Sequence, residues 1–92
     1  MLSVFKYPIF LDDKCEVSMP EVSMPEGAQI LTVQTQQESP QLWALVDPDA
    51  KMCIRKFRIC GTGHNVEETN LLYINSFQLR GGSLVFHLFE IP

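Results

Sequence analysis

The stretch Gln41–Gly63, QLWALVDPDAKMCIRKFRICGTG, lays out strand, turn and strand in one continuous unit. LWALV is an apolar run, and DPDA supplies the turn: Asp47 can bond its own backbone two residues on, and Pro48 presets φ at the next position. Met52 to Cys60 reads as the returning strand, ended by Gly61 and Gly63. This unit decides architecture and carries no chemistry.

The same alternation of strand and turn signals extends outward in both directions, with no sustained helical period. Strands are expected at about Leu2–Phe10, Glu16–Met19, Gln29–Gln36, Gln41–Asp47, Cys53–Cys60, Leu71–Leu79 and Leu84–Ile91. Most of the six prolines and five glycines fall in the gaps between them, the punctuation of an all-β chain. The pair Gly81-Gly82 marks a hairpin joining the last two strands, because adjacent glycines supply the positive φ of tight turns. In Leu71–Leu79, alternation puts Leu71, Tyr73, Phe77 and Leu79 on one face, with Asn75 interrupting the series. Leu84–Ile91 is apolar on both faces, so it is expected at the centre of a sheet or beneath another layer. GTGHNVEET, Gly61 to Thr69, is the one stretch where a short helical turn competes with loop, with Asn65 as its cap. The fold class is therefore all-β: a single domain over residues 1–92, a small antiparallel sandwich or barrel-like fold of about seven strands.

EVSMP occurs twice in succession, at Glu16–Pro20 and Glu21–Pro25. Five is odd, so in one continuous strand the two copies would turn their Val and Met to opposite faces. One copy is accordingly expected to be a loop or bulge, and Pro20 between them marks the break.

Length and charge limit the functional classes. Ninety-two residues make one domain, near the size where a single core is only just sufficient, which favours self-association or a partner. A net charge of -4 argues against non-specific nucleic-acid binding, which draws on clustered Lys and Arg. No apolar run reaches the roughly 18 residues of a membrane span. MLSVFKYPIFLDD has no long uncharged core with a small-residue cleavage site, so a cytosolic protein is expected. Cys15, Cys53 and Cys60 are odd in number, and Cys53 and Cys60 on one strand would stand roughly 23 Å apart, beyond a disulfide. Neither CxxC nor HxxxH occurs, so no metal and no cofactor is expected.

Candidate chemistry is sparse. Asp47 and Asp49 read as turn residues, and GTG lacks the GK[ST] of a phosphate loop. Arg55, Lys56 and Arg58 gather three of the seven cations into four residues. Alternation sends Lys56 and Arg58 to one face and Arg55 to the other with Phe57. With His64 and Arg80 they form the candidate binding set for an anionic ligand. Val85, His87, Phe89 and Ile91 form the candidate interface, through their face or their strand's edge, and a homodimer is the expected use. Trp43 is expected in the core. His64 has no nearby orienting acid, so the chain is not read as an enzyme.

LWALVDPDA, FRICGTGH and FQLRGGSLVFHLFE, with KYPI near the start and MPEGAQILTVQ between, together resemble a small family of uncharacterised bacteriophage and prophage proteins of about 80 to 90 residues. That resemblance spans nearly the whole chain and implies a compact β domain in the host cytoplasm, with no catalytic residues to carry over; the family pattern has a single EVSMP. It implies a phage accessory protein that acts by binding, expected to inhibit a bacterial defence complex, of the anti-CRISPR or another anti-defence type, through a protein surface. Sequestration of a signalling nucleotide or other small anion is the alternative, and a minor virion or assembly component a third.

Overall fold

The computed structural model describes residues 1–11 and 18–92. Seven strands form two antiparallel sheets: β1 Ser3–Pro8, β2 Glu21–Pro25, β3 Gln29–Gln36, β4 Ser39–Val46, β5 Met52–Gly61, β6 Leu72–Leu79 and β7 Leu84–Ile91. Sheet A has the order β1-β4-β3 and sheet B the order β2-β5-β7-β6. The chain is an all-β sandwich.

Alternation in each strand builds the core. Leu42, Ala44 and Val46 of β4 and Val33 of β3 point inward from sheet A, and all four are fully buried. Sheet B answers with Val22 and Met24 of β2, Phe57 and Ile59 of β5, Phe77 of β6, and Phe86 and Leu88 of β7. Phe77 and Phe86 are paired across strands and stack with ring centroids 5.6 Å apart. Trp43 is the exception to the expected core. It lies between Leu42 and Ala44, so alternation turns it to the outer face of sheet A, where it is half-buried.

The regular strand is confined to one EVSMP copy, as expected, but Pro20 does not mark a break. Of the strand expected at Glu16–Met19, Glu16 and Val17 lie outside the described residues, as does Cys15. The regular strand is the second copy, whose Val22 and Met24 reach the core. Ser18 of the first copy nevertheless bridges Ile59, in the register that pairs Glu21 with Lys56. Pro20 does not break that register: its carbonyl accepts from Phe57 N–H at 2.9 Å. The two copies therefore exchange faces, Met24 at 0% exposure and Met19 at 56%.

Tandem identity has a further consequence. Removing residues 16–20 or residues 21–25 leaves the same polypeptide, so the surviving copy can always take the place of β2 next to its turn and β3. The single-copy variant is expected to fold, with a melting temperature within a few degrees of the parent, since closure entropy depends weakly on loop length. Loss of cooperative unfolding in a thermal scan would contradict this.

The start of β4 moves, while the β6–β7 connection falls at 80–83 as expected. β4 begins at Ser39 because Gln37 and Glu38, at φ of 51° and 61°, form a two-residue turn with positive φ and no glycine. The β6–β7 connection takes four residues, 80–83, with a 3-10 turn at Arg80–Gly82 and positive φ at Arg80, Gly81 and Gly82. Residues 62–70 contain no helical turn; they fold back across the outer face of sheet B. In β6, a bulge at Ile74 shifts the alternation, so Tyr73 pairs with Phe89 on the outer face while Asn75 and Phe77 face inward. Tyr73 and Phe77 therefore do not share a face.

Candidate functional site

Two of the three candidate cations of β5 are occupied. Arg55 faces inward at the end of the sandwich, where its guanidinium grips Glu90 of β7 through both carboxylate oxygens, Nη2 to Oε1 at 2.9 Å. Its Nη1 donates to the Ala28 carbonyl at 2.9 Å and so ties β5 to the turn that precedes β3. The hydrogen bond to Glu90 holds its pKa above the ordinary arginine value. Arg58 faces outward but is only 3% exposed, because residues 62–70 lie over it. Its Nε donates to Glu68 Oε1 at 2.7 Å, and its Nη1 and Nη2 donate to the Ile59 and Asn65 carbonyls.

Arg58 thus pins the loop to the sheet. The Glu68 carboxyl is held below the usual carboxylate range, first by its own backbone N–H and then by Arg58. A depressed carboxylate contributes stability above its unfolded pKa and loses it as pH falls through the folded one, so the loop is expected to loosen only under acid conditions. Cys60 lies beneath the same loop, 4% exposed, with its thiol pKa pushed up by burial. Glu68→Ala is expected to speed alkylation of Cys60 at mildly alkaline pH relative to wild type. An unchanged rate, read by peptide mass spectrometry, would show that the loop stays closed without this pair.

The remaining candidates do not converge. Lys56 is exposed on the outer face of sheet B opposite Glu21, His64 stands in the loop beside Gly61, and Arg80 sits in the β6–β7 turn. Among the described residues, no group of three His, Cys, Asp or Glu could hold a metal. No helix there is long and apolar enough to cross a membrane.

His87 heads a hydrogen-bonded chain that sequence reading missed. Its Nε2 is 2.8 Å from Thr62 Oγ1, its Nδ1 is 2.7 Å from Ser76 Oγ, and Ser76 Oγ is 2.8 Å from Tyr73 Oη. Thr62 also contacts the Val85 carbonyl, which can only accept. With the Thr62 hydroxyl turned to that carbonyl, Thr62 Oγ1 is left as an acceptor for the His87 ring. Both nitrogens meet hydroxyls and neither meets a carboxylate. The chain fixes Tyr73 and the β6–β7 pair in place.

Much of what stays open on sheet B is apolar, beside the exposed Lys56 and Glu21. Val85, His87, Phe89 and Ile91 are all half-buried on its outer face. Tyr73 covers Phe89 edge-on at 5.6 Å and is itself 59% exposed. On β5, beyond the stretch that pairs with β7, Ile54 is 62% and Met52 59% exposed. Lys56, Ile54, Ile91 and Pro92 rim an open depression at the end of the sheet. β7 is central, between β5 and β6, so its edge is closed and only its face is available.

A family model matches residues 1–92 from end to end, that of a domain of unknown function, DUF7352. The chain belongs to this family. No curated protein and no solved structure matches it. The family description assigns no activity, so the functional reading rests on the surface.

Proposed function

We propose that this DUF7352 domain acts by binding a protein partner through the outer face of sheet B, with Ile54, Met52 and Tyr73 as its exposed apolar side chains. The observation that supports it is the exposure of these three side chains around half-buried Phe89 and Ile91. Each large apolar side chain left in water forgoes about 1.5 to 3 kcal/mol of burial, so several together form an association site. The acidic balance of the chain suits a partner with a basic surface, such as a nucleic-acid groove. The resemblance to phage proteins directs the search to a host defence complex in the host cytoplasm, which binding would inhibit.

Capture of a small anion is the weaker reading, since Arg55 and Arg58 lie on opposite faces and each is paired with a carboxylate. Affinity purification from the infected host, followed by mass spectrometry of proteins and small molecules, separates the two. A host protein retained by wild type and lost by the double variant Ile54→Asp, Tyr73→Asp is the expected result. A nucleotide released on denaturation, with no protein retained, would overturn the proposal.

A further inference from the structure

The sandwich has four sheet edges, and three of them are closed or blunted. β3 and β6 are joined across one side, Thr35 Oγ1 donating to the Gln78 carbonyl at 2.6 Å and Asn75 Nδ2 to Thr32 Oγ1 at 3.0 Å. β2 carries Glu21 and Pro25 on its edge, both devices that discourage strand addition. Among the described residues β1 pairs with β4 alone. Its edge carries exposed apolar side chains on both faces, Val4 at 58% and Phe5 at 40%. Its one charge gives no protection, because Lys6 Nζ reaches across sheet A to Gln36 Oε1 at 2.9 Å.

The register says which backbone groups are free. Ile9 N–H donates to the Pro40 carbonyl, which continues the β1–β4 pairing and makes the odd-numbered residues of β1 the ones bonded to β4. Val4 and Lys6 therefore turn both N–H and C=O away from the sheet. Pro8, which has no N–H, falls at an outward position, where it costs the ladder nothing.

We propose that β1 pairs antiparallel with β1 of a second copy of this chain, about a two-fold axis at Phe5. This inference is independent of the proposed function. Outward groups must face each other, so even residues pair with even ones. Centring on Phe5 sets Val4 opposite Lys6 of the partner subunit, and Lys6 opposite the partner's Val4, so all four exchange both bonds. Centring on Lys6 would set two like charges together, and centring on Val4 would pair Lys6 with Leu2, outside β1, and leave the Pro8 carbonyl without a partner. The chosen register also places Leu2 N–H against the partner's Pro8 carbonyl and stacks the two Phe5 rings on one face. Sheet A becomes one continuous six-stranded sheet, and the outer face of sheet B stays free in both copies.

Sedimentation velocity and two variants test this. The wild type is expected to sediment at twice the 10.5 kDa of one chain. Val4→Pro removes an outward N–H without touching the bonds to β4, and is expected to give a folded monomer. Phe5→Cys puts two thiols at a non-hydrogen-bonded pair, with Cα atoms about 4.5 Å apart, within disulfide reach, and is expected to form a crosslinked dimer on mild oxidation while wild type does not. If Val4→Pro fails to fold, the Phe5→Cys crosslink decides. A monomeric wild type, or a dimer that survives Val4→Pro, or no crosslink beyond that of wild type, would overturn the proposal.

Discussion

Glu90→Ala is expected to cost up to about 3 kcal/mol, because it leaves the half-buried Arg55 guanidinium without its counter-charge. The two side chains are 22% and 14% exposed, so solvent does little to replace the lost partner. A domain of this size holds only about 5 to 15 kcal/mol in all, so the loss is a large share of its stability. Arg55 cannot withdraw, since it also holds the Ala28 carbonyl beside the β2–β3 turn. Replacing both partners, Arg55→Leu with Glu90→Leu, is expected to recover most of the loss, because matched apolar groups need no desolvated charge. Urea unfolding of the three proteins checks this, and equal destabilisation of the single and double variants would show that the pair is not the cause.

The second large effect contrasts two copies of the same residue in the same pentapeptide. Met24→Ala is expected to cost about 2 to 5 kcal/mol through the cavity it leaves between the sheets. Met19→Ala is expected to stay within about 0.5 kcal/mol, since Met19 stands 56% exposed on the other face. Melting temperatures report the difference directly, by about 4 to 8 °C per kcal/mol in a domain this small. Similar losses at both positions would mean that the ladder does not run through Pro20 in one register.

These contrasts also show what a sequence of this kind makes legible. The unit from Gln41 to Gly63 and the Gly81-Gly82 turn pointed to strands and a hairpin because turn chemistry is local. The face exchange in the repeat followed from an odd spacing and the regular strand is confined to one copy, but Pro20 is not the break, because its carbonyl still accepts from Phe57 and keeps the register. The faces of β6 could not be read, since the bulge at Ile74 leaves no local mark and reverses Tyr73 relative to Phe77 and Leu79.

The candidate site was legible only in part. Alternation separated Arg55 from Arg58, yet nothing near them announced their partners, which lie 35 and 10 residues away. The signal available was Glu90 itself, a single charge at the end of the apolar run LVFHLFE, where a buried cation is the natural counterpart. The Thr62–His87–Ser76–Tyr73 chain depends on where residues 62–70 fold back, which no periodicity encodes.

The claim that the outer face of sheet B takes a protein partner is tested most directly by measuring the dissociation constant of the captured partner for Ile54→Asp and, as control, Leu31→Asp. Both side chains are exposed, Ile54 on sheet B and Leu31 at the bulge of β3 in sheet A. Ile54→Asp is expected to weaken binding by more than about tenfold, the scale of an interface hot spot, with Leu31→Asp unchanged. Undiminished affinity in folded Ile54→Asp, or an equal loss from Leu31→Asp, would contradict the account.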